Sequence, residues 1–300
     1  SVLDINIEIG DKITVSQSYG NLGIAYKELK NYDKAMESYK EQLQICENIG
    51  FKPGIALANN NIGLVLYKEN DFGRSLDFLL KALSINTDIG NISEIAKVYG
   101  NLGMISKDTG DFDGAMEYYS KAREYFDQLG DERFSTVILG ELGSLLLLQK
   151  KFTEAQKYLT SSIKNFKEIN DFPNCAKYQL LLAELFCETN KFSKSLEYLV
   201  KTEELLSDID GNDSLYIEIA IGKSIIDYHQ NGDITQLNDD MYNIIKKKIP
   251  NNEYKASIYY ELWKINKSKE SQTSAIELYQ ILYDDTPKYI FKSRLEELEP

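Results

Sequence analysis

Asn21, Asn61 and Asn101 stand forty residues apart, each two positions before a glycine. A carboxamide offers a donor and an acceptor from one planar group. An extended peptide backbone presents the complementary pair, N–H and C=O. Three such amides in a row can hold a stretched segment whatever side chains it carries; their other use is internal, bonding neighbouring helices. Further chemistry finds little material. His229 is the single histidine, and Cys46, Cys175 and Cys187 include no C-x-x-C pair. A metal site or an activated nucleophile therefore lacks its ligands. An odd set of cysteines suits buried thiols in a reducing, cytoplasmic compartment. Asp239-Asp240 and Glu203-Glu204 read as solvated helix faces. No enzyme activity and no cofactor are expected.

The elements that carry the asparagines repeat with them. "YGNLGIAY" begins at Tyr19, "NNNIGLVL" at Asn59, "YGNLGMIS" at Tyr99 and "LGELGSLL" at Leu139. A second marker keeps the same step: "NIGF", "DIGN", "QLGD" and "EIND", from Asn48, Asp88, Gln128 and Glu168. A third is a polar-aromatic pair at Asn31-Tyr32, Asp71-Phe72, Asp111-Phe112, Lys151-Phe152 and Lys191-Phe192. Within a unit, Val15, Tyr19, Leu22 and Tyr26 fall at helical spacing, as do Ala35, Tyr39 and Leu43. Gly50 suits a helix C-terminus and Pro53 the first turn of the next helix. Asn91 and Glu94 form a capping-box-like start. The spacing predicts helices near 13–29, 33–49, 53–69, 73–89, 92–108, 113–129, 132–149, 153–169, 172–189 and 193–207. Gly23, Gly63, Gly103 and Gly143 lie where a first helix (A) meets its second (B) closely. There a Cβ would hold the pair apart. A second row, Gly20, Asn60, Gly100 and Gly140, comes one residue before the asparagine position. It fits either room for a ligand or crowding between A helices.

Helix pairs of this kind bury their apolar faces only by stacking, which makes an α-solenoid. The pattern resembles a tetratricopeptide repeat (TPR) array. Tyr19, Leu22, Gly23, Tyr26, Ala35 and Tyr39 carry its motif in the first unit. Tyr99, Leu102, Gly103, Ala115, Tyr119 and Ala122 carry it in the third. The forty-residue step is similar to the long repeats of Pins/LGN adaptors, kinesin light chain and Rap-type regulators. The resemblance implies an all-α, right-handed TPR superhelix whose A helices line a concave groove. It gives five regular units over 12–210 and two degenerate units over 211–286. A capping helix follows at 287–300. In the sixth unit Tyr228 and Met241 take motif positions, with no small residue expected in either helix. In the seventh, Tyr259, Leu262, Ala275 and Tyr279 restore the motif, with Trp263 where glycine is expected.

The resemblance also implies that the groove binds an extended peptide. Asn21, Asn61 and Asn101 would hold it, with Gln17 and Asn60 beside them. Lys27, Lys68, Lys97, Lys107 and Lys177 fall on or near that face and would favour an acidic segment. Glu141 and Leu181 interrupt the row in later repeats, where Leu147 and Leu148 suggest an apolar pocket for a ligand side chain. The formal net charge of −13 argues against a nucleic-acid partner. No run of about 18 apolar residues marks a membrane span. The alternative reading is a sensory or autoinhibitory domain of a larger bacterial signalling protein (a cyclase, kinase or transcription regulator), binding a domain of its own chain. The opening stretch, residues 1–11, matches the end of a B helix such as "KALSINTDIGN". It is expected to be the remnant of a preceding repeat, and the chain an excised piece.

Overall fold

The computed structural model describes residues 11–207, 213–246 and 252–299. The expected remnant helix over 1–11 lies outside them, except for Asp11. Every regular element among the described residues is helical. They form two compact units, one ending at Asp131 and one beginning at Glu132. The division falls inside the run of regular repeats.

The first unit holds three helix pairs: α1 (Lys12–Glu28) with α2 (Tyr32–Ile49), α3 (Lys52–Lys68) with α4 (Phe72–Ile89), and α5 (Ile92–Thr109) with α6 (Phe112–Leu129). The second begins with α7 (Glu132–Leu148), α8 (Phe152–Glu168), α9 (Phe172–Glu188) and α10 (Phe192–Leu206). It continues through α11 (Asp213–Asn231), α12 (Ile234–Lys246), α13 (Asn252–Asn266), α14 (Lys269–Asp285) and α15 (Tyr289–Leu298). The first ten helices start and stop within one residue of the windows the spacing predicts. None is long and apolar enough to cross a membrane.

One device makes the turns this regular. Every twenty residues, from 30 to 190, a single residue takes the left-handed conformation. These are Lys30, Gly50, Asn70, Gly90, Gly110, Gly130, Lys150, Asn170 and Asn190, with φ between 56° and 85°. The next N–H then reaches back to a carbonyl five residues earlier: Asn31 to Tyr26, Asp71 to Leu66 and Asp171 to Phe166, each at 2.9 Å. That closes the helix with a Schellman-type bond. The same next residue caps the following helix. Asn31, Asp71, Asn91, Asp111 and Asp171 accept from N–H groups three residues on. The polar-aromatic marker is thus an N-cap followed by an apolar first residue.

Glycine lets A and B helices touch. A Cβ on Gly23 would lie 2.5 Å from the Tyr39 ring, and one on Gly103 would lie 2.6 Å from Tyr119. Around these crossings separate apolar clusters each bridge one helix pair to the next within a unit. In the first unit, Leu79 and Ala82 of α4 pack with Val98, Leu102 and Ile105 of α5. Burying Leu79 fully contributes about 1.5–3 kcal/mol. In the second, Leu237 and Met241 of α12 join Ile258 and Leu262 of α13. The sixth unit does have its small residue, contrary to the expectation. A Cβ on Gly222 of α11 would lie 2.8 Å from Leu199 of α10. It escapes the forty-residue register because it serves the contact with the preceding helix.

Candidate functional site

The A helices of the first unit, α1, α3 and α5, carry the predicted amides, and the structure treats each differently. Asn21 and Gln17 are exposed on α1. Asn61 is 9% exposed on α3, and its Nδ2 has no hydrogen-bond partner. Asn101 donates from Nδ2 to Oδ1 of Asn60 at 3.0 Å, tying α5 to α3. Tyr67 makes a second tie, its hydroxyl donating to Asp108 at 2.7 Å. Asn60 and Asn101 thus meet directly, and part of the amide row is spent on holding A helices side by side.

Most of the groove lysines also have local partners. Lys27 lies 3.6 Å from Glu28, and Lys97 bonds Glu94 at 2.6 Å. Lys177 bonds Glu141 at 2.6 Å, and Lys68 sits over the Tyr67 ring. Lys107 occupies the last turn of α5. Two glycines of the second row serve packing. A Cβ on Gly20 would meet the amide of Gln42 at 2.7 Å, and one on Gly140 would meet the Tyr178 ring at 2.3 Å. Tyr178 belongs to the next A helix, α9, so crowding between A helices explains Gly140.

In the second unit, Leu147 and Leu148 do line a cavity, of about 190 Å³. Its walls come from α7, the start of α8, α9, α13 and α15. Charged groups that the repeat pattern did not single out face the leucines. Lys264 bonds Glu188 at 2.9 Å and approaches Glu261 at 3.4 Å. Arg294 donates to the Tyr260 hydroxyl at 2.6 Å and lies 3.6 Å from Glu297. The Tyr260 hydroxyl in turn donates to Glu297. The Lys264 ammonium loses solvation in this setting. Glu261 and Glu188 more than compensate, so its pKa lies above the usual lysine value. One sequence signal could have found this site: Glu184, a carboxylate inside the apolar run "LLLAELF" of an A helix.

The sequence profile described as "Tetratricopeptide repeat" matches residues 14–88 and 94–168. Among curated proteins none matches the chain. Several solved structures share the fold. A Rap protein complexed with competence and sporulation factor aligns with 96% of this chain and 77% of its own, at 17% identity and a TM-score of 0.70. Aspartyl phosphate phosphatase F from Bacillus subtilis aligns with 93% and 73%, at 14% identity and a TM-score of 0.76. A signal transduction ATPase with numerous domains (STAND) from Pyrococcus horikoshii, which has a tetratricopeptide repeat sensor, aligns with 80% of this chain at 19% identity and a TM-score of 0.65. The chain spans 37% of that protein's length. With half of its residues matched by the profile, and helix pairs at the expected step, the chain belongs to the tetratricopeptide repeat family.

Proposed function

We propose that this chain is a protein-interaction module that holds an extended peptide along the A helices of its first unit, by backbone hydrogen bonds to Asn21, Asn61 and Asn101. The observation that carries this reading is the Asn61 amide. Its Nδ2 is enclosed and unbonded, and a buried donor left unpaired costs about 1–3 kcal/mol. A peptide carbonyl arriving beside it removes that cost after a small rotation of the side chain. Asn21 stands exposed one repeat away, and Asn101 can exchange its bond to Asn60 for one to the ligand. The likeness to a Rap protein complexed with a named factor is consistent with a binding role.

A peptide selected from a random library on the wild-type chain provides the test. Asn61→Ala combined with Asn101→Ala is expected to weaken it at least tenfold while helicity is kept. N-methylation of the peptide backbone is expected to weaken it more than alanine replacement of its side chains. Unchanged affinity in the double variant removes the amide row from the reading. A second reading keeps the module and changes the origin of the ligand to another domain of the same protein. The STAND sensor likeness favours it. A neighbouring domain added in trans would then displace the selected peptide.

A further inference from the structure

The cavity of the second unit has chemistry of its own, independent of the asparagine row. Glu184 lines it and has no hydrogen bond or ion pair among the described residues. Protein groups pack around the carboxylate, and part of the side-chain surface stays exposed. The other two carboxylates of the lining are occupied, Glu188 by Lys264 and Glu297 by Tyr260 and Arg294. The local charge balance is negative. Glu184 and Glu188 of α9, Glu218 of α11, Glu261 of α13 and Glu297 of α15 outnumber Lys150, Lys264 and Arg294. Along α9 the cavity reads Leu181, Glu184, Glu188, three residues that share one helix face. An apolar patch therefore passes directly into an acidic one. Leu147 and Leu148 of α7 extend the apolar part. At about 190 Å³ the space exceeds that of a single water, about 30 Å³.

We propose that this cavity binds an alkylammonium or alkylguanidinium group, such as a lysine or arginine side chain, with its stem on Leu148 and Leu181 and its cation on Glu184. The two halves of such a group match the two halves of the cavity. The cation completes the one lining carboxylate that has no partner among the described residues. Enclosure pushes the Glu184 pKa up to about 7; Arg294 opposes the rise, and Glu188, Glu261 and Glu218 add to it. Ligand binding fixes the ionised form, so a proton is released from Glu184 as the cation arrives. Of the other groups facing the site, Tyr260, Lys264 and Arg294 keep their protons through this range. Affinity therefore rises with pH across neutrality, by up to about tenfold per unit below the free value.

Titration calorimetry of the full chain tests this with two probes, the peptide acetyl-Ala-Ala-Arg-Ala-Ala-amide and agmatine. The same peptide with norleucine for arginine is the control. Binding of the arginine peptide alone identifies a protein side chain as the ligand, and binding of agmatine identifies a free amine. Either result, with the norleucine peptide silent and affinity rising from pH 6 to pH 8, supports the site. Glu184→Gln keeps the shape and is expected to lose at least tenfold in affinity and the pH dependence with it. Leu181→Lys supplies the cation from within and is expected to block both probes and raise the melting temperature. The proposal is overturned if neither probe binds, if norleucine binds as well as arginine, or if Glu184→Gln binds unchanged.

Discussion

A single methyl group distinguishes glycines that the fold requires from one that it does not. Gly103→Ala drives a Cβ to 2.6 Å from the Tyr119 ring, which is 1% exposed and has nowhere to move. The expected loss is about 1–3 kcal/mol, as for other overpacked cores. Gly73 lies on α4, and a methyl added there would have nothing within 4 Å. Gly73→Ala is expected to gain about 0.5–1 kcal/mol. Chemical denaturation of the two variants reads both signs. Glu184 makes a prediction of a different kind. Its carboxyl keeps a proton in the folded chain at pH values where the unfolded chain, with an ordinary value near 4.5, has lost it. The stability it contributes is present below that value and is lost as pH rises through about 7. Glu218 and Glu261, also raised by burial, add the same slope. A melting series is expected to fall from pH 5 to pH 8 and to fall less in Glu184→Gln. The helix-crossing glycines were legible in the sequence because packing repeats with the chain. The apolar wall of the Glu184 cavity, Leu147 and Leu148, was legible for the same reason; its charged wall was not, because Lys150, Lys264 and Arg294 occupy unrelated positions of the register and meet only when the second unit folds.

The helices owe their ends to local chemistry, and this is why their limits could be read within one residue. Asp71 accepts from the Arg74 N–H at 3.1 Å and from its guanidinium at 3.2 Å. Asp71→Ala is expected to cost about 1 kcal/mol, the usual loss of an N-cap. Lys30 is exposed and holds a φ of 57°, a conformation that glycine adopts without a Cβ penalty. Lys30→Gly is therefore expected to stabilise the chain by about 1 kcal/mol, measured as a shift in the denaturation midpoint at constant slope. The sixth unit was the hardest element to read. Its glycine serves α10 rather than its own partner helix, so neither Tyr228 nor Met241 reveals it.

Repeat arrays spread stability over neighbouring contacts, and each unit here has its own chain of cores. Leu79→Ala empties a fully buried site in the first unit and is expected to cost about 2–5 kcal/mol. Hydrogen exchange is expected to lose protection in α3, α4 and α5 and to keep it in α13, α14 and α15. A uniform loss would mean that the whole chain opens as one block. The twenty-residue spacing of left-handed turns has a consequence for how such a chain grows. Copying residues 31–70 and pasting the copy after Asn70 joins Asn70 to Asn31, a left-handed residue to a helix cap. The far junction, Asn70 to Asp71, is the native one. Both seams match turns already present, so tandem duplication by unequal crossing-over lengthens the protein by one helix pair without creating a new kind of joint.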